Sequence, residues 1–220
     1  MSTVYDCNNE ASRAAGLNAA RGALKAGRLV VVPTDTVYGI AADAFDSDAV
    51  TSLLRAKGRG RDMPVPVLVG SWTTIDGLVA SVRPEARELI RAFWPGGLSL
   101  VVHQAPSLAW DLGDTRGTVM LRMPLHPVIL ELLREVGPLA VSSANVSGRP
   151  AATNVTEARE QLGASASVYL DGGPAEHGVA STIVDLTGDR PRILREGAVT
   201  AEALAKVLGD DPERLRSGGE

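Results

Sequence analysis

Residues 29–36 read LVVVPTDT: four consecutive apolar residues, a proline, then three polar side chains. An unbroken apolar run of this length suits a strand covered on both faces. Pro33 has no N–H to give to a sheet ladder and stops the run. Thr34, Asp35 and Thr36, with Tyr38 just beyond, therefore fall at the carboxyl end of a buried strand. Open α/β sheets place their ligand crevices at such ends. A polar turn accounts for the same residues, and the stretch alone leaves both readings open.

Outward from this strand, helical and extended patterns alternate. Ala14 to Ala26 reads as an alanine-rich helix closed by Gly27. Asp46 or Ser47 can cap a helix that carries Val50, Leu53 and Leu54 on one side and ends near Lys57-Gly58. Val65 to Val69 is expected to be a strand. Pro84 suits the first turn of a helix with Ala86, Leu89, Ile90 and Phe93 at helical spacing. The Trp94-Pro95-Gly96-Gly97 break precedes a strand from Leu98 to His103. Thr118 to Met123 reads as a strand, Pro127 to Val136 as a helix, and Pro138 to Ser142 as another strand. Thr182 to Leu186 and Arg192 to Arg195 flank Gly188-Asp189 as a hairpin. Thr200 can cap a last helix through Leu208. Alternation with a terminal hairpin predicts a single α/β domain over residues 1–208, built on a mixed open sheet with flanking helices. Residues 209–220, charged and Gly-containing, are expected to be a flexible tail.

Composition narrows the function classes. The 220 residues carry a formal net charge of −4, which argues against a wholly basic nucleic-acid binder but allows a local basic patch. Aromatics make up 4% of the chain, so aliphatic side chains must fill the core. A single cysteine, Cys7, excludes an internal disulfide and a Cys-rich zinc module. His103, His126 and His177 have no ligand-like spacing, and no metal-ligating set is assigned. The N-terminal stretch lacks the basic-then-apolar order of a signal region, and the apolar runs are too short to span a bilayer. The expectation is a cytoplasmic protein.

Several segments could bear chemistry. Lys57-Gly58-Arg59-Gly60-Arg61 puts three cations in five residues with glycines between them. A mobile loop of this kind suits a polyanion such as triphosphate, while a solvated charge run at a helix end fits equally. Ser142 to Gly148, SSANVSG, follows an apolar strand with hydroxyls and a carboxamide that can bond phosphate or ribose, or simply cap a turn. Arg122 ends a strand, and Ser181-Thr182 and Arg195 bracket the hairpin. Gly22-x4-Gly27 has a Walker A spacing, but Arg28-Leu29 stand where Lys-Ser/Thr are needed. Neither a GxGxxG fingerprint nor a G-x-S-x-G elbow is present.

Six segments in series carry a resemblance: PTDTVYGIAADA (33–44), LLRAKGRGRDMPVPVLV (53–69), WPGGLSLVV (94–102), VMLRMPLHP (119–127), SSANVSG (142–148) and STIVDLTGDRPRILREGAV (181–199). In order and spacing they resemble the YrdC-like family of threonylcarbamoyl-AMP synthases, in its short, single-domain form. The resemblance implies a twisted open sheet with a concave, locally basic cleft. It implies that Thr36, Arg122 and Ser181, with the Val141 backbone, bind threonine. Arg59, Thr118, Ser143, Asn145, Ala151 and Arg195 would bind ATP. Lys57 and Asn145 belong to the K-x-R and S-x-N signatures, and Lys57 and Arg59 are assigned the catalytic role. Three positions depart from the pattern. Gly60 replaces a frequent proline, Met63 a frequent polar residue, and Leu68 a histidine that binds threonine in some relatives.

The activity so implied joins L-threonine, bicarbonate and ATP into threonylcarbamoyl-AMP and pyrophosphate, for N6-threonylcarbamoyladenosine in tRNA. Mg²⁺ would accompany ATP, held mostly by phosphates and water. A separate tRNA threonylcarbamoyl transferase would consume the product. Direct tRNA binding is left open, and the rival reading is a non-catalytic RNA- or tRNA-binding paralogue. Scarce aromatics and the acidic balance count against that rival.

Overall fold

The computed structural model describes residues 2–176 and 178–217, so Met1, His177 and the last three residues of the chain lie outside it. In chain order the elements begin β1 (Thr3–Asp6), α1 (Glu10–Lys25), β2 (Leu29–Val32), β3 (Gly39–Asp43), α2 (Ser47–Lys57) and β4 (Val67–Leu68). They continue α3 (Pro84–Phe93), β5 (Leu98–His103), β6 (Thr118–Arg122), α4 (Pro127–Val136) and β7 (Leu139–Ser143). The chain closes with α5 (Val155–Leu162), β8 (Ala166–Asp171), β9 (Thr182–Asp185), β10 (Arg192–Arg195), α6 (Ala201–Leu208) and α7 (Pro212–Ser217).

The ten strands form one mixed sheet in the order β1-β8-β2-β3-β7-β4-β6-β5-β9-β10. β2 has every residue buried, as its unbroken apolar run demands. The sheet is filled by two apolar clusters, one on each side. Val30, Val32, Ala41, Leu68, Leu139 and Val141 face α1 and α4. Val31, Ile40, Val67, Leu98, Leu100 and Leu121 belong to the larger cluster with residues of α2, α3, α5 and α6.

That division positions the site. On β6, Val119 and Leu121 point into the larger cluster. Side chains alternate along a strand, so Thr118, Met120 and Arg122 share the opposite side. Met120 pairs with Val101 of β5, and both are half-buried. Leu68 pairs with Arg122 on one neighbour and with Leu139 on the other. The face that α1 and α4 cover over β2, β3, β7 and β4 thus continues, less covered, over β6 and β5.

Local sequence explains the ends of the elements. Asp46 caps α2, its Oδ1 accepting from the N–H groups of Asp48 and Ala49 at 3.1 and 3.0 Å. Gly58 closes the same helix with φ +64°, a left-handed conformation that favours glycine. Thr200 caps α6 as expected, accepting from Ala203 N–H at 3.2 Å.

Some expectations are corrected. The strand at 65–69 shrinks to Val67–Leu68, because Pro64 and Pro66 have no N–H for a ladder. β1, β3, α5 and β8 were not anticipated. Residues 212–217 are not a flexible tail: they form α7, whose Leu215 is 1% exposed. Arg216 ties that helix to Glu196 at 3.1 Å and Glu202 at 2.7 Å, and pairs within the helix with Glu213 at 2.6 Å.

Candidate active site

Lys57 is the last residue of α2 and is completely buried. Its Nζ donates to the Asn145 carbonyl at 2.7 Å, to Asn145 Oδ1 at 3.2 Å and to the Ser143 carbonyl. Asn145 in turn donates through Nδ2 to the carbonyls of Val146 and Arg149, at 3.0 and 2.7 Å. The expectation of a mobile loop for Lys57 is therefore corrected. It is a buried strut that holds the loop after β7. Burial pulls its pKa down to about 7, and the like charge of Arg59 adds to this. The oxygens around Nζ act in the other direction, because each accepts best from an ammonium.

Arg59 lies beyond the helix cap and reaches across to the same loop. Its Nε donates to Ser147 Oγ at 2.9 Å and its Nη1 to Ser142 Oγ at 3.2 Å. Arg61, third in the run, turns away and pairs with Asp111 at 2.7 Å on the surface. The three cations thus separate into two that face the β7 loop and one that does not.

Arg122 stands at the end of β6, 7% exposed. Its Nε donates to the Gly96 carbonyl at 2.9 Å, its Nη1 to Thr36 Oγ1 at 2.7 Å and its Nη2 to Asp35 Oδ1 at 2.5 Å. A guanidinium has five N–H groups, so two remain for a ligand. Asp35 Oδ1 also accepts from Leu125 N–H at 2.9 Å, while Oδ2 is buried without a partner. Gly97, beside this contact, is held to glycine by space. A Cβ there would lie 2.6 Å from Ala198 Cβ and 3.5 Å from Thr36 Cγ2.

Ser181 and Arg195 form a third group. Arg195 donates through Nη2 and Nε to the Ser181 carbonyl at 2.7 and 3.1 Å. Ser181 Oγ lies 2.9 Å from Ser99 Oγ on β5. Electrostatics links the groups into one line. Burial lowers the pKa of Arg59, Arg195 and Arg122. The charge of Arg59 pushes Arg195 down further, and that of Arg195 does the same to Arg122, against the opposing pull of Asp35. Among the described residues only Arg122 of these four cations has a carboxylate ion-pair partner. An assembly of cations with mostly neutral partners is suited to a polyanion.

Three expected site residues make other contacts. Thr118 lies four positions before Arg122 on β6, roughly 13 Å along the strand, and its Oγ1 donates to the Thr115 carbonyl at 2.7 Å. Ala151 is half-buried in the segment after the Asn145 loop. Val141 packs its side chain under α1 and α4, and its N–H donates to the Pro66 carbonyl at 2.8 Å. Asp35 and Ser99 were absent from the expected set. Asp35 was visible as a polar residue after a buried strand, whereas Ser99 sits inside an apolar strand and gave no signal.

A surface recess of about 430 Å³ lined by Arg28, Ser52, Arg55 and Ser165 contains none of these residues. Among the described residues no group of three or more His, Cys, Asp or Glu side chains is arranged to hold a metal ion. The acid next to the cations, Asp35, already serves Arg122 and Leu125. The donor set does not fit a Mg²⁺ held by protein ligands. Among the described residues no helix is long and apolar enough to cross a membrane.

The Sua5/YciO/YrdC family model, described as telomere recombination, matches residues 22–197. The chain is a member of the YrdC-like family. A Mycobacterium tuberculosis relative of this YrdC-like protein is 66% identical over 215 residues, covering 98% of this chain and 99% of its own. The threonylcarbamoyl-AMP synthase of Bacillus subtilis is 38% identical over 189 residues, 84% of this chain and 54% of that protein. The structure of Pyrococcus abyssi Sua5 complexed with L-threonine superposes with a TM-score of 0.88 at 33% identity. It covers 96% of this chain, which spans 61% of the archaeal one. The open mixed sheet expected from sequence is thus the family's fold.

Proposed function

We propose that this YrdC-like protein is an L-threonylcarbamoyladenylate synthase. L-Threonine, bicarbonate and ATP give threonylcarbamoyl-AMP, pyrophosphate and water. The observation that carries the reading is the line of cations Lys57, Arg59, Arg195 and Arg122, the last of them bonded to Thr36 and Asp35. The reactants are anions, so the protein's main tasks are charge neutralisation and alignment.

In this reading Arg59 and Arg195, with Ser143 and Asn145 of the loop held by Lys57, take the triphosphate, and Thr118 and Ala151 lie at the nucleoside end. Arg122 takes the threonine carboxylate with its two remaining N–H groups, beside Thr36, Ser181 and the Val141 backbone. The amine condenses with bicarbonate to a carbamate, whose oxygen attacks the α-phosphorus and displaces pyrophosphate. Mg²⁺ enters with the nucleotide as part of that substrate. The product's consumer is a tRNA threonylcarbamoyl transferase, which places the activity in the cytoplasm with its ATP and tRNA.

The test is incubation with ATP, L-threonine and bicarbonate, followed by mass spectrometry for the mixed anhydride. Pyrophosphate release should require both threonine and bicarbonate. Equal release with either one omitted would remove the assigned reaction.

A further inference from the structure

The hydroxyl of Thr36 has its hydrogen-bonding direction set by its neighbours. Thr34 Oγ1 lies 2.6 Å from the Val37 carbonyl, which can only accept, so the single Thr34 hydroxyl proton goes there. Thr34 Oγ1 also receives the Thr36 backbone N–H at 3.2 Å. With its proton spent, Thr34 meets the Thr36 hydroxyl, 3.1 Å away, only as an acceptor. The Thr36 proton therefore points at Thr34. On its other side Thr36 Oγ1 accepts from Arg122 Nη1 at 2.7 Å. One lone pair of Thr36 is left, and no proton.

Thr34 and Thr36 are 3% and 1% exposed, so water does not blur this order and a mismatched ligand group would be left unpaired. A carboxylate on Arg122 puts the next atoms of its ligand beside Thr36. In an α-amino acid the neighbour of the carboxylate is the carbon that bears nitrogen. That nitrogen carries N–H as an ammonium, and still carries one N–H once it has become a carbamate.

We propose that Thr34 is a positioning residue that fixes Thr36 as an acceptor, so that the subsite selects an α-nitrogen donor next to the carboxylate. The inference rests on the amino-acid subsite assigned above. Thr34 touches no reactant in it and works through Thr36.

The test uses L-2-aminobutyrate and 2-oxobutyrate, which share the carbon skeleton and the carboxylate. The first offers N–H donors on a tetrahedral, zwitterionic molecule, the second only a carbonyl acceptor on a planar anion, so the readout is the change in their ratio between variants. Both are titrated as competitors of L-threonine on the full chain. The wild type should prefer the amino acid. In Thr34→Val the Thr36 proton is free to turn toward the ligand, and the amino-to-keto preference should fall by about tenfold, the worth of one hydrogen bond. Thr34→Ser should keep the wild-type ratio, and the KM for ATP should hold within about twofold in every variant. Should Thr34→Val not fold, Thr34→Ala carries the same comparison. An unchanged ratio in a folded, threonine-binding variant overturns the role of Thr34 alone. A wild type that neither binds threonine nor releases pyrophosphate removes the parent reading as well.

Discussion

The two ends of the cation line are built on opposite principles. At the Lys57–Arg59 end the partners are neutral: carbonyls of Ser143 and Asn145, and hydroxyls of Ser142 and Ser147. At the Arg122 end the charge is matched by Asp35, in a pair whose side chains are 8% and 0% exposed. Burying charge without a counter-charge is costly, and the cost is relieved when a polyanion arrives. A matched pair gains little from another anion's net charge and recognises its ligand by the direction of its free N–H groups. One end is therefore suited to a triphosphate through charge, the other to a small carboxylate through geometry.

The strongest way to break this contrast is Arg122→Ala, which strands Asp35 in the core. The expected loss is about 3–5 kcal/mol in chemical denaturation, the usual result of removing half of a buried pair. A loss no larger than that of Arg59→Ala would mean that Asp35 does not depend on Arg122.

Lys57→Met keeps the length of the stem and removes the donor shared by four loop oxygens, of which the Ser143 carbonyl keeps the Asn145 N–H. Roughly 1–3 kcal/mol of stability should go with each acceptor left unpaired, and ATP turnover should fall while threonine binding, by calorimetry, survives. Arg122→Lys is milder, since it keeps charge and loses the fork. Threonine affinity should drop by about tenfold with ATP affinity little changed. If ATP weakens and threonine does not, the two ends have been assigned the wrong way round.

The charge state of Lys57 sharpens the comparison. With a folded pKa of about 7 against 10.5 in the unfolded chain, the unfolded state binds more protons in that interval. The free protein should become more stable as pH rises from 7 to 10.5. A triphosphate beside Arg59 favours the ammonium, so nucleotide binding at pH 8 should take up part of a proton. Calorimetry in two buffers of different ionisation enthalpy measures it. No uptake would mean that the surrounding oxygens keep Lys57 charged throughout. Arg61→Ala, last in size, should change neither activity nor midpoint, because its partners Asp111 and Asp114 are surface residues.

Sequence revealed the elements whose local signals agree. The apolar run of β2, the caps of α2 and α6, and the helix at Pro127–Val136 were all legible. β3 was not, because Gly-Ile-Ala-Ala-Asp has weak strand propensity and becomes a central strand only by pairing with β2 and β7. β1 is a polar strand at the sheet's edge, with no apolar period to find. α7 hid its one buried anchor, Leu215, inside a charged stretch. In the candidate site, residue types and strand ends marked Thr36, Arg122 and Arg195. What sequence could not give was the partner of each group. That Lys57 turns inward and Arg61 outward, four positions later, depends on tertiary contacts. So does the pairing of Ser99 with Ser181, from segments about eighty residues apart.

β10 is the last strand of an open sheet, bonded to β9 alone, with a register shift between Ile193 and Arg195. An outermost strand is released by local opening at a lower free energy than strands held on both sides. Amide hydrogen exchange should therefore divide the cation line by lifetime. The backbone of Arg195 would exchange through brief excursions, while that of Arg122, between two neighbouring strands, would wait for larger unfolding. The strand that carries Arg195 is where the cation line can breathe, and the strand that carries Arg122 is where it keeps its shape.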